Sequence, residues 1–146
     1  TMIKEPFVVL LAEDNEDDIL ATRRAWKKNN IANPLYIVNT GEDCLDYLYQ
    51  RGKYAAPGSA PRPGILLLDI KMPRMDGLTV IEHIRSDEKL RRLPIVILTS
   101  SKMEEDRLKG YDLGANAYIT KPVGFDNFSE AVRAIHMFWA LVELPE

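Results

Sequence analysis

Cysteine is nearly absent: Cys44 is the only one in 146 residues, so no disulfide can form within the chain. A chain of this length can hide about 68–70% of its unfolded surface in a single core, so it needs no such staple. Histidine is scarce as well. His83 and His136 stand far apart and Cys44 has no partner at ligand spacing, which speaks against zinc. No apolar run approaches the ~20 residues of a membrane helix, and Thr1–Pro6 carries no signal-peptide core. There is no excess of positive charge, since 19 Lys and Arg face 22 Asp and Glu for a formal charge of −3. That balance disfavours a broad nucleic-acid or anionic-membrane footprint. Neither G-x-G-x-x-G nor G-x-x-x-x-G-K-[ST] occurs, which argues against dinucleotide or nucleoside triphosphate binding. What is present is 46% apolar and 28% charged, the make-up of an ordinary globule. The expectation is one cytoplasmic domain over residues 1–146, with its core at about 5–142 and a short tail at 143–146.

Short apolar runs alternate with helical patterns. The runs are Phe7–Ala12, Leu35–Val38, Ile65–Leu68, Ile95–Leu98 and, more weakly, Ala117–Ile119. Each is too short for a buried helix, and most have the Val, Ile and Leu content of strands covered on both faces. Asn15 caps a predicted helix to about Lys28, with Ile19 and Trp26 on one face, and a second opens at Gly41–Asp43 with Leu45 and Leu48 inward. A third starts at Asp76–Gly77, a fourth spans Glu104–Leu113 before Gly114, and a fifth runs from about Asp126 to Val142. Five β-α units imply parallel strands with helices on both faces, in a doubly wound sheet of flavodoxin-like order 2-1-3-4-5. The Pro- and Gly-rich stretch over 52–64 reads as a long solvated loop at the edge opposite the strand ends.

In such a sheet ligands bind beyond the carboxyl ends of the strands. There the sequence delivers Glu13 and Asp14, Asp69, Thr99 and Ser100, and Thr120–Lys121–Pro122. Any one of these polar residues could be an ordinary loop residue. Three crowded carboxylates repel one another unless a cation joins them, and oxygen-only ligands in an open cleft suit Mg²⁺.

The segments LLAEDNEDD, ILLLDIKMPRMDG, ILTSS and ANAYITKPV resemble, in order and spacing, those of receiver domains of two-component response regulators. The resemblance implies that Asp69 accepts a phosphoryl group from a histidine kinase. It implies that Glu13, Asp14 and Asp69, with the backbone carbonyl of Lys71, hold Mg²⁺. It casts Thr99 as the switch hydroxyl, Tyr118 as the switch aromatic, and Lys121 as the lysine that contacts the phosphoryl group, behind a cis Lys121–Pro122 bond. The chemistry would be limited to self-catalysed phosphoryl transfer and autodephosphorylation, with no metabolic substrate. An aspartate-nucleophile phosphatase of the dehalogenase type needs a second acid two residues after the nucleophile, and Lys71 stands there. A phosphorylation-independent adaptor on the same fold is the alternative. Lys71 also lies near the path of a water attacking an acyl phosphate, so its side chain is expected to slow hydrolysis.

Along the fifth helix, Phe128, Val132, Ile135, Trp139 and Val142 form one stripe. Ala131, Ala134, Met137, Phe138 and Leu141 widen it to an arc of roughly 200°, beyond what a core-facing helix requires. The expected cover is a second copy, in a homodimer through the helix 4/strand 5/helix 5 face that includes Phe138 and Leu141. A covering role for the tail at Leu144–Pro145 is the other reading. The long loop before strand three, SSKMEEDRLKGYDLGANAYITKPV and FWALVELP are similar to stand-alone regulators partnered with phytochrome-type histidine kinases. No nucleic-acid or membrane partner is expected.

Overall fold

The computed structural model describes residues 6–109, 114–121, 123–124, 126–131 and 133. Its elements run β1 (Val8–Ala12), α1 (Glu16–Lys28), β2 (Leu35–Val38), α2 (Gly41–Tyr49), β3 (Pro63–Asp69), α3 (Gly77–Ser86), β4 (Ile95–Thr99), α4 (Lys102–Lys109) and β5 (Ala117–Thr120), with a 3₁₀ turn at Gly52–Tyr54. Residues 126–131 are helical, where the fifth helix was expected to begin. The strands form one parallel sheet in the order β2-β1-β3-β4-β5. This is the doubly wound arrangement expected from the alternation of apolar runs.

Alternate residues of each strand feed two cores. Leu10, Ala12, Leu66, Leu68, Ile95 and Ile97 pack with Cys44, Leu45 and Leu48 of α2, Val80, Ile81 and Ile84 of α3, and Leu108 of α4. Val9, Leu11, Ile65, Leu67, Val96, Leu98 and Ile119 pack on the other face with Trp26 of α1 and with Phe128 and Ala131. Leu66, Leu67 and Leu68 are fully buried, and each such side chain contributes about 1.5–3 kcal/mol by leaving water. The Trp26 and Phe128 rings lie 4.7 Å apart, which docks the residue 126–131 helix on α1. Cys44 is a buried core residue and His83 is exposed. His136 lies outside the described residues.

Two element starts and the loop over 52–64 differ from the sequence expectation. The third strand begins at Pro63 instead of Ile65: Pro63 pairs with Val8, Ile65 with Val9, and Gly64 is the extra residue between them. Proline is tolerated at a strand's first residue, and a Cβ on Gly64 would lie 2.8 Å from the Phe7 Cβ, so only glycine fits that approach. The fourth helix begins at Lys102, two residues before Glu104. Ser101 caps it, its Oγ accepting from the Glu104 backbone N–H at 3.1 Å. Its expected end at Leu113 lies outside the described residues; Gly114, just beyond, has the left-handed φ of +79°. The stretch over 52–64 is not wholly solvated, because Ala60 is buried. The Tyr47 hydroxyl donates to the Pro61 carbonyl at 2.7 Å, and the Gln50 amide donates to the Ala60 carbonyl at 2.9 Å.

Candidate functional site

Parallel pairing brings the carboxyl ends of the strands to one edge. Ala12 stands beside Leu68, Asp69 beside Leu98, and Thr99 beside Thr120. The residues that follow these positions therefore share a rim. Glu13 is 1% exposed, Asp69 is 6% exposed, and Asp14 faces solvent. One carboxylate oxygen from each can be chosen so that all lie within 4.8 Å of one another. Lys71 stands two residues beyond Asp69, and Gly77 opens α3. Its N–H donates to the Ile70 carbonyl at 2.9 Å, and a Cβ there would meet the Asp69 carbonyl at 2.6 Å. Glycine at 77 is what lets α3 start against the backbone of Asp69.

Lys121 reaches this edge from the end of β5, where its backbone N–H donates to the Thr99 carbonyl at 2.8 Å. Its Nζ lies 2.8 Å from Glu13 Oε2, 3.0 Å from Asp18 Oδ2 and 3.2 Å from Asp69 Oδ1. Burial alone would pull the ammonium down, but its hydrogen bonds to Glu13 and Asp18 and the Asp69 charge outweigh it and hold Lys121 above its usual range. Burial pushes the Glu13 carboxyl up to about 7; the Lys121 hydrogen bond opposes this and the Asp69 charge adds to it. The Asn15 backbone N–H donates to Glu13 Oε1 at 3.1 Å.

Thr99 is fully buried, its Oγ1 a long 3.5 Å from the Ile119 carbonyl, so the hydroxyl leans toward β5. Tyr118 is half-buried and packs beside the α2/α3/α4 core. It also lines a cleft of about 320 Å³ with Lys102, Glu105, Thr120, Asn127 and Glu130. There Glu105 accepts from the Thr120 hydroxyl at 3.3 Å. The Lys71 side chain is 73% exposed and its Nζ lies 3.7 Å from Glu104 Oε2. Glu104 also accepts from the Ser100 hydroxyl at 2.6 Å. That hydroxyl first, and Lys71 less strongly, hold the Glu104 carboxyl below its usual range.

The structure thus gathers Glu13, Asp14, Asp69 and Lys121 and sets Thr99 and Tyr118 on neighbouring strands. Pro122, Phe138 and Leu141 lie outside the described residues. Two residues at this edge escaped the sequence reading. Asp18 touches Lys121 across 103 positions of sequence, and the available signal was its place one turn after Asp14. Glu104 follows Ser101 at the S-x-x-E spacing of a capping box. The converging oxygens, open on the Asp14 side, fit a hard divalent cation, which favours carboxylate oxygens and retains several waters.

The family profile of the response regulator receiver domain matches residues 9–133. Response regulator Rcp1 of Synechocystis sp. (strain ATCC 27184 / PCC 6803 / Kazusa) is 35% identical over 141 residues, covering 96% of this chain and 94% of its own. The crystal structure of a Mn²⁺-bound form of Rcp1 superposes with a TM-score of 0.69 at 34% identity, covering 97% of this chain and all of the other. The bacteriophytochrome response regulator AtBRR is similar at 39% identity and a TM-score of 0.84, covering 97% of this chain and 100% of its own. The phosphorylated cyanobacterial phytochrome response regulator RcpA is similar at 34% identity and a TM-score of 0.70, covering 97% and 99%. Receiver domains work with histidine kinases in two-component signalling and bind Mg²⁺ or Mn²⁺ at an acidic pocket of this kind. By edge geometry and by these likenesses, the chain belongs to the response regulator receiver domain family.

Proposed function

We propose that this chain is a phosphorylation switch in which Asp69 accepts a phosphoryl group from the phosphohistidine of a histidine kinase, with Mg²⁺ bound. The observation that carries the reading is Lys121 Nζ at 3.2 Å from Asp69 Oδ1, inside the cluster formed with Glu13 and Asp14. An Asp69 carboxylate oxygen attacks phosphorus as the phosphorus–nitrogen bond to imidazole breaks. The electron pair of that bond stays on the departing nitrogen, which leaves as neutral imidazole from a phosphohistidine protonated on its other ring nitrogen, and an acyl phosphate forms on Asp69. Glu13, Asp14, Asp69 and the Lys71 carbonyl would hold Mg²⁺, which when bound neutralises charge building on the phosphoryl oxygens. Lys121 supplies the second positive charge from the β5 side. Thr99 would turn its hydroxyl from the Ile119 carbonyl toward the phosphoryl group, and the space it leaves would be filled by Tyr118. A local change of charge then becomes a changed α4/β5 surface.

Output would pass through protein–protein contacts on the face made by α4, β5 and the helix beginning at residue 126. A second copy is the proposed partner, with Phe138 and Leu141 in the contact on the strength of their place in the sequence. The phytochrome-linked relatives support a phytochrome-type kinase as donor. The reading takes the chain as one cytoplasmic domain with no nucleic-acid or membrane partner. Its acidic balance supports this, and among the described residues no helix is long and apolar enough to cross a membrane. The test is transfer of label from a phosphorylated bacteriophytochrome histidine kinase to this chain and to Asp69→Asn, with light scattering before and after. Label that reaches only the Asp69 protein, with a change in mass average, supports the switch. Failure to take label while still binding the kinase supports a phosphorylation-independent adaptor.

A further inference from the structure

An ammonium has three N–H donors, and Lys121 lies within ion-pair distance of three carboxylates, with a hydrogen bond directed to Asp18. Glu13 and Asp69 belong to the acidic cluster; Asp18, at 3.0 Å, does not. A cation held by the cluster draws on the lone pairs of Glu13 and Asp69 and repels the ammonium beside them. Resting on the metal-site reading above, we propose that Asp18 is a positioning residue for Lys121. It holds the ammonium from the α1 side, so that Lys121 keeps a carboxylate partner when a divalent cation engages Glu13 and Asp69.

Asp18 is built for such a role by its backbone. Its N–H donates to the Asn15 side-chain carbonyl at 2.9 Å, and its carbonyl accepts from the Thr22 hydroxyl at 2.9 Å. Asn15 in turn donates its own N–H to Glu13, so one residue orders the carboxylates on both sides of the ammonium. Acids in a first helical turn ordinarily favour the helix dipole, and Glu16 and Asp17 of the same turn meet that need. Asp18 is the member of the turn that pairs with Lys121. Its side chain is 37% exposed against 16% for Lys121. The pair therefore spans the boundary between the pocket and water, where an ammonium displaced from the cluster can stay partly sheltered.

The test is Mn²⁺ titration of the whole chain, followed by the electron paramagnetic resonance signal of free Mn²⁺. It compares wild type, Asp18→Asn, Asp17→Asn, Lys121→Met and the two double variants that join each Asn substitution to Lys121→Met. Asp17→Asn removes the same charge from an exposed neighbour. Asp18→Asn is expected to raise the Mn²⁺ dissociation constant about fivefold beyond Asp17→Asn, the lower end of ordinary coupling between sites. In the Lys121→Met background the two Asn variants should match. Should Lys121→Met not fold, as judged by circular dichroism, Lys121→Gln takes its place. Equal effects of Asp18→Asn and Asp17→Asn in the wild-type background would overturn the proposal. So would an excess effect of Asp18→Asn that persists undiminished without Lys121. A wild-type chain with no saturable Mn²⁺ binding, or binding untouched by Asp69→Asn, would overturn the metal-site reading and the proposal together, a result distinct from the other two.

Discussion

Replacing Glu13 with Gln in metal-free protein should stabilise the fold at pH 8, and the gain should shrink toward pH 5. Glu13 is 1% exposed, and its carboxyl is displaced from 4.5 to about 7, first by burial and then by the Asp69 charge, against the hydrogen bond from Lys121. Ionising such a group in the folded state costs up to about 3 kcal/mol. The pocket opens to water beside the exposed Asp14, so about half of that, 1–2 kcal/mol, is the expected gain for Glu13→Gln at pH 8. The sign follows from proton binding. Between pH 4.5 and 7 the folded chain keeps this proton while the unfolded chain has lost it. Wild-type stability from this group is therefore present at low pH and declines as pH rises through that window. Gln has no proton to lose and contributes a flat line. Urea unfolding in EDTA at pH 5 and pH 8 measures both. A variant less stable than wild type by the same amount at both pH values would refute the reasoning, because the Lys121–Glu13 ion pair would then outweigh burial.

Gly77→Ala should lower stability by about 1–3 kcal/mol, since its Cβ would press on the Asp69 carbonyl at 2.6 Å; the shift of the urea midpoint reads it, and an unchanged midpoint counts against that packing. Tyr47→Phe removes the hydrogen bond to the Pro61 carbonyl and should cost about 1 kcal/mol, with faster protease cleavage within residues 55–62 as the sign that the loop has come loose. Lys71→Ala should shorten the phosphoryl half-life if the side chain screens an attacking water, and decay of the labelled protein measures this. An unchanged half-life would leave Lys71 as a solvated partner of Glu104, the contact it makes at 3.7 Å.

Much of the fold was legible because strands covered on both faces leave a plain mark. Leu66, Leu67 and Leu68 are apolar in succession, and all are buried because alternate side chains enter different cores. Asn15 could be read as a cap from its position alone, and its side chain does accept from the Asp18 N–H. α4 starts two residues before the expected Glu104; KMEEDRLK is polar almost throughout, so periodicity gives little signal there. The capping spacing of Ser101 and Glu104 carried the boundary instead. Pro63 and Gly64 read as loop residues because local propensity cannot show that β1 and Phe7 stand beside them. The strand-end residues Glu13, Asp14, Asp69 and Lys121 could be gathered from topology, since parallel strands bring their carboxyl ends together. The Asp18 contact is harder to read: its place one turn after Asp14 puts it at this edge but does not name a partner 103 residues away.

The most direct measurement of the switch is the intact mass of the chain after incubation with acetyl phosphate, with and without Mg²⁺, beside Asp69→Asn. A single phosphoryl adduct that needs Mg²⁺ and is missing from Asp69→Asn is the expected result. No adduct in wild type under either condition, or an adduct that persists in Asp69→Asn, would contradict the assignment of Asp69 as phosphoacceptor.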